Sequence, residues 1–153
     1  MIDRRLASLG LELPPYVPPA WAYKPVTVHR DVAYISGHIA KTSEGVLHIG
    51  KVGDDVSLEQ ACESARLSIL NALATFAHDV GPLDRIEEVL KLVVFVASSP
   101  DFHLQPKVAD AASKLLADIF GDRCGHARSA VGVTVLPRNS SVEVELVVAL
   151  QPA

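Results

Sequence analysis

The stretch ARSAVGVTVLPRNSSVEVELVVAL, residues 127–150, decides the fold. Both halves are rich in Val and Leu, and Pro137-Arg138-Asn139-Ser140 between them is turn chemistry. Two strands are expected, Ala127–Leu136 and Val142–Leu150. In the second, Glu143 and Glu145 share a face by the two-residue period. The first opens on a permanently charged guanidinium, Arg128, ahead of the apolar residues Ala130, Val131, Val133, Val135 and Leu136. A wet strand end explains such an arginine, and so does a waiting anion. The stretch alone leaves both open.

Working outward, residues 86–97 end in VLKLVVFVA, a third β-rich run. Leu90, Leu92, Val94 and Val96 are expected on one face. Val89, Val93, Phe95 and Ala97 fill the other, interrupted by Lys91. SSPDF is a turn. Residues 105–120 have helical spacing, with Val108, Ala112, Leu115, Leu116 and Ile119 inward and Gly121 as the stop. A longer helix precedes the central strand. Ser57 with Gln60 is a capping-box signature, and Leu58, Ala61, Cys62, Ala65, Ile69, Leu73, Phe76 and Val80 form one stripe, ended by Gly81-Pro82.

Nearer the N-terminus, Val26–His29 and Val32–Ser36 form an expected hairpin across Arg30-Asp31, with Gly37 ending its second strand. Val46–Ile49 is a candidate short strand. Residues 11–25 hold five of the ten prolines, so an extended arm over residues 1–25 is expected, with Tyr16, Trp21 and Tyr23 to pack against the domain. The order is β-β-(β)-α-β-α-β-β, an α+β chain in which two helices cover one face of a sheet. Its strands are apolar on both faces. A packed oligomer buries the second face.

The 153 residues suit one domain spanning 1–153, with 49% hydrophobic and 21% charged residues, a globular balance. A net charge of -4, without a Lys/Arg run, argues against nucleic acid as partner. MIDRRLASLGLELPP lacks the apolar core of a secretory signal, and no stretch approaches a membrane span. Cys62 and Cys124 are expected as reduced thiols, and the location as cytoplasmic. The six histidines fall in different elements, and no metal site is expected. Cys124-Gly-His126 is the one close Cys/His pair; a nucleophile there is conceivable, and an ordinary loop cysteine is the preferred reading. No GxGxxG or GxxxxGK[ST] occurs.

YISGHIA, Asn71 in the first helix, LKLVVFVASSPDF and ARSAVGVTVLP…VEVELVVAL together resemble the Rid family, also called the YjgF/YER057c/UK114 family, from about residue 12 to the C-terminus. Its members are often labelled endoribonuclease L-PSP. The ARS motif followed by the VEVE strand is the most specific part. The resemblance implies a chorismate-mutase-like mixed β-sheet with two helices packed on one face. It further implies a homotrimer with active sites between subunits, no cofactor, and hydrolysis of reactive enamines and imines to 2-keto acids and ammonia.

The family's carboxylate-binding arginine falls on Arg128, whose planar donor fork suits a carboxylate. The family's water-holding glutamate falls on Glu143, and a carboxylate can both position water and move a proton. The resemblance puts Ser36 and Gly37 at a close approach to ligand, and Tyr23 over it. Ala130 occupies the place of a common family cysteine, so only its backbone could touch substrate there, and His38 stands where many members have glutamine. Three functions follow: a deaminase acting on a small carboxylate-bearing imine, a non-catalytic trimeric binder of a carboxylate metabolite, and an endoribonuclease, which the acidic charge disfavours.

Overall fold

Ser57 opens the longest helix as its spacing predicts. In the computed structural model, which describes residues 1–152, the Gln60 amide donates to Ser57 Oγ at 3.1 Å and the Ser57 amide donates to Gln60 Oε1 at 2.9 Å. This reciprocal cap, worth about 1 kcal/mol, starts a helix over Leu58–Asp79. Its buried stripe mixes large and small residues: Ile69, Leu73 and Phe76 beside Ala61, Ser64, Ala65, Ser68 and Ala72. The small residues let the helix lie close to the sheet. The buried hydroxyls remain satisfied, Ser68 donating to the Ser64 carbonyl at 2.8 Å and Ser64 to the Leu47 carbonyl at 3.2 Å.

In chain order the elements are α1 (Ile2–Ser8), β1 (Val26–His29), β2 (Val32–Ile39), β3 (Lys41–Thr42), β4 (Gly45–Val46), α2 (Leu58–Asp79), β5 (Ile86–Ala97), α3 (Gln105–Phe120), β6 (Ala127–Val133) and β7 (Val142–Leu150). The main sheet runs β1-β2-β7-β5-β6. Only the β5–β6 pair is parallel, with α3 as its crossover. Helices α2 and α3 pack together on one face, over Val142, Val144, Leu146 and Val148 of β7 and Leu92, Val94 and Val96 of β5, all buried. The fold is the expected α+β sheet with helices on one side. The other face carries Tyr34, Val93, Phe95, Val131, Val147, Glu143 and Glu145, which range from half-buried to exposed.

Several local expectations need correction. The arm is not extended throughout, because Ile2–Ser8 is helical. Its two buried residues, Ile2 and Leu6, dock α1 beside α3, and tertiary burial stabilises about two turns of helix that local sequence would not. Strand β6 stops at Val133, and Val135 beyond it is 69% exposed. The candidate strand Val46–Ile49 is instead a two-residue ladder pairing Lys41 with Val46 and Thr42 with Gly45, and Ile49 makes only an isolated bridge to Ser140.

Two further differences come from bulges. The β5–β7 register shifts between Ile86 and Glu88 and again between Val89 and Lys91. Each extra residue reverses the alternation. Val89 therefore points into the core and Leu90, expected with Leu92, is 36% exposed. In β2 the register to β7 shifts between Ile35 and His38. Gly37 does not end the strand. It belongs to a bulge, after which β2 continues to Ile39.

Candidate active site and ligand pocket

The β2 bulge turns His38 onto the helix side of the sheet, although alternation alone would group it with Tyr34 and Ser36. His38 is then held at both ring nitrogens. Nδ1 donates to the Ser36 carbonyl at 2.7 Å, so Nε2 accepts from Thr75 Oγ1 of α2 at 2.8 Å. Burial holds the imidazole below its ordinary pKa, against the smaller opposing pull of the Ser36 carbonyl. His38 is thus a neutral wall. Asn71, one helical turn before Thr75, donates through Nδ2 to the carbonyls of Ile39 (3.0 Å) and Lys41 (3.1 Å). The Asn71 side chain fixes the path of the chain as it leaves β2.

Ser36 ties the same bulge to the proline arm. Its amide donates to the Pro25 carbonyl at 2.9 Å and its hydroxyl to the Lys24 carbonyl at 3.1 Å. Tyr16 stacks on His78 of α2 with ring centroids 3.8 Å apart and planes within 6°. Leu11 and Leu13 pack on the core. The arm so anchored roofs a pocket of about 520 Å³. Its walls are arm residues 14–20, Tyr23 and Pro25, the Ser36–Ile39 segment, Lys41 to Ser43, Asn71 and Thr75 of α2, and Arg138 from the turn before β7.

Glu143 meets the bulge from β7. A Cβ on Gly37 would overlap Glu143 Oε1, so the carboxylate can lie this close to the bulge because Gly37 has no side chain. Glu143 pairs with Phe95 and Ile39 in the ladder and lies on the face away from the helices. Burial raises its pKa, and neighbouring Glu145 raises it further. Its carboxylate receives no hydrogen bond among the described residues.

Arg128 lies elsewhere. It pairs with Leu92, whose side chain is buried under the helices, so Arg128 points to the helix side of the β6 edge. Its Nη1 donates to Asp110 Oδ1 of α3 at 2.9 Å and to Ser113 Oγ at 3.2 Å. Ser113 Oγ lies 2.9 Å from His126 Nε2. The His126 Nδ1 faces the Cys124 carbonyl, so His126 engages the backbone of Cys124 and not its thiol. The guanidinium is ion-paired through Nη1, and Nε and Nη2 have no hydrogen-bond partner among the described residues.

Of the residues singled out in the sequence, Tyr23, Ser36 and Gly37 come together at the pocket, and Glu143 adjoins Gly37. Arg128 and Ala130 do not join them within one chain. Strand β5 separates β6 from β7, and Arg128 and Glu143 occupy opposite faces. Sequence reasoning missed Arg138 and Lys41 as pocket residues. The signal for Arg138 was weak: a cation in a Pro-Arg-Asn turn is most simply a solvated one. Among the described residues no group of His, Cys, Asp or Glu gathers in metal-binding geometry, and no helix is long and apolar enough to cross a membrane.

Comparison with known proteins agrees with this architecture. The family model described as "YjgF/chorismate mutase-like, putative endoribonuclease" matches residues 3–150. Protein TCP17 of Trypanosoma cruzi is 37% identical over 150 residues, 97% of this chain and 94% of that protein. A solved Agrobacterium tumefaciens protein of unknown function is 38% identical, with a TM-score of 0.90 across 98% of this chain and 92% of its own. A Shewanella oneidensis structure carrying the endoribonuclease description is 30% identical, with a TM-score of 0.93 across 98% of this chain and 99% of its own. The match takes in the arm and α1 as well as the sheet and its two covering helices, so the chain belongs, over nearly its whole length, to the YjgF/chorismate mutase-like family.

Proposed function

We propose that this protein is an imine or enamine deaminase, acting on a small substrate that bears a carboxylate. The observation that carries the reading is Glu143: a half-buried carboxylate with a raised pKa, free of hydrogen bonds among the described residues, lying against Gly37, where a Cβ would overlap its Oε1. A carboxylate tuned toward neutrality can take a proton and return it. In the proposed reaction Glu143 accepts a proton as water attacks the C=N carbon. It passes that proton to nitrogen, giving a carbinolamine, then takes the carbinolamine hydroxyl proton and delivers it to the amine as the C–N bond breaks, releasing ammonia and a 2-keto acid.

Arg128 supplies the carboxylate receptor in this reading, with Nε and Nη2 as the fork beyond its Nη1 contact to Asp110. Because Arg128 and Glu143 of one chain diverge, the proposed centre forms between subunits of a homotrimer. The half-buried apolar residues of the uncovered sheet face, among them Val93, Phe95 and Val147, are consistent with that assembly. Ser36, Gly37, Tyr23 and the Ala130 backbone would enclose the substrate. The second reading, a non-catalytic carboxylate binder, draws on the Arg128–Asp110 ion pair, which leaves the cation half-neutralised before any substrate arrives.

The test is ammonia release from freshly generated 2-aminoacrylate and bulkier imines. The wild-type protein accelerates hydrolysis; Arg128→Ala and Glu143→Gln each lower kcat/KM by about 10²-fold or more while keeping the wild-type oligomeric state. Saturable carboxylate binding with no turnover of any imine would establish the binder instead. Full activity in Glu143→Gln would remove the proposed mechanism.

A further inference from the structure

We infer that the pocket beneath the proline arm is a binding site for an organic carboxylate with an apolar body, and that Arg138 and Lys41 hold its charge. The site lies beyond the proposed deaminase centre and shares with it only the Tyr23 and Ser36–Gly37 wall. Charge makes the first argument. The chain carries 18 acidic and 14 basic residues, yet the pocket wall includes Arg138 and Lys41 and no Asp or Glu. Neither cation is in a salt bridge among the described residues. His38, the remaining titratable base of the wall, has both ring nitrogens occupied and stays neutral. No residue of the wall offsets the positive charge, in contrast to Arg128, which Asp110 pairs.

The backbone beneath Arg138 makes the second. Arg138 sits at φ 56° and ψ 27°, a left-handed conformation that a side chain other than Asn or Asp rarely adopts. Asn139 follows with φ 56°. Gly50 pins the turn from outside, donating to the Asn139 carbonyl at 2.8 Å, and the Ser140 amide and hydroxyl close it from within, both donating to the Pro137 carbonyl, at 3.1 and 2.9 Å. Arg30 and His48 also have positive φ, but of these residues only Arg138 is a cation in the wall of the pocket.

The roof suits an apolar ligand body. Prolines 14, 15, 18 and 19 give an apolar wall that is already extended, so little entropy is lost on closing over a ligand. Tyr16 on His78 and Ser36 on the Lys24 carbonyl fasten both ends. A pocket of about 520 Å³, mostly apolar and with convergent cations at one side, fits a small molecule with one anionic head. A free inorganic anion would leave the proline wall unused.

The probe is 2-naphthoate, titrated calorimetrically into the intact protein beside its uncharged counterpart 2-naphthamide. One naphthoate binds per chain, and naphthamide binds at least tenfold more weakly. Arg138→Gln weakens naphthoate at least tenfold, Lys41→Gln by a smaller factor, and Arg138→Lys recovers part of the loss. Arg128→Ala leaves naphthoate affinity unchanged although it lowers imine kcat/KM by about 10²-fold or more, which separates this site from the proposed catalytic one. Equal affinity for the acid and the amide in wild-type protein would overturn the inference without any variant needing to fold. So would no naphthoate binding at all, or loss of binding in Arg128→Ala.

Discussion

Arg128 stands at the head of β6 and Arg138 in the turn before β7, and they meet opposite fates. Arg128 follows the regular alternation of β6, has a side chain 27% exposed, and donates a hydrogen bond to Asp110, itself 54% exposed on α3. Arg138 stands in a strained turn, faces a pocket without acids, and has no ion-pair partner among the described residues. The difference teaches that a charged residue's role depends on what the opposing element presents. A helix offering Asp110 and Ser113 satisfies one arginine, while an arm built of proline offers the other nothing but apolar surface.

That contrast can be broken at the bulge that adjoins both the pocket and Glu143. Gly37→Ala gives the largest expected effect. The added methyl meets the Glu143 carboxylate, so either the side chain is expelled or the bulge shifts. A loss of about 1–3 kcal/mol is expected, read as a Tm several degrees lower by thermal denaturation, together with loss of any imine turnover. An unchanged Tm would mean that the bulge yields freely and that Gly37 does not set the position of Glu143.

Glu143→Gln sharpens the comparison by removing a carboxylate that the fold holds partly out of water. Burial first, and Glu145 second, raise its pKa in the folded state. The native protein therefore binds more protons than the unfolded chain between the ordinary carboxylate range and the raised value, and stability falls as pH rises through that window. Above it the penalty is constant. The Gln variant should match wild type at low pH and exceed it near neutrality. Denaturant unfolding across pH checks this, and a variant less stable than wild type at neutral pH would contradict it.

The smallest effect is expected at Asp110. The pair with Arg128 is largely exposed, so Asp110→Asn should change stability by less than about 1 kcal/mol. It should lower KM for an imine carboxylate severalfold, because Arg128 then offers an uncompensated charge. A rise in KM would show that Asp110 orients the guanidinium, and the two arginines would differ less than their surroundings suggest.

Much of the fold was legible from neighbours in sequence. Ser57 and Gln60 cap α2 because the capping pair is three residues apart, and the hairpin turns at Arg30-Asp31 because two residues suffice to pair His29 with Val32. The site was legible in pieces. Tyr23, Ser36 and Gly37 do share a pocket, but Gly37 was expected to stop a strand and instead kinks it. No local pattern announces a bulge when the register that defines it belongs to a partner more than a hundred residues away.

The sequence by itself determined what short-range chemistry can specify: the periodic faces of α2 and α3, the alternation of β7, and the α+β order, because caps, turns and hydrophobic periods act within a few residues. Only the tertiary structure decided where the charges went. It docked α1 through Ile2 and Leu6, turned Leu90 out and His38 in by changes of register, gave Arg128 to Asp110, and left Arg138 facing a cavity. These outcomes depend on which strand lies beside which and which helix lies above. They are fixed by long-range pairing and packing, which local sequence does not record.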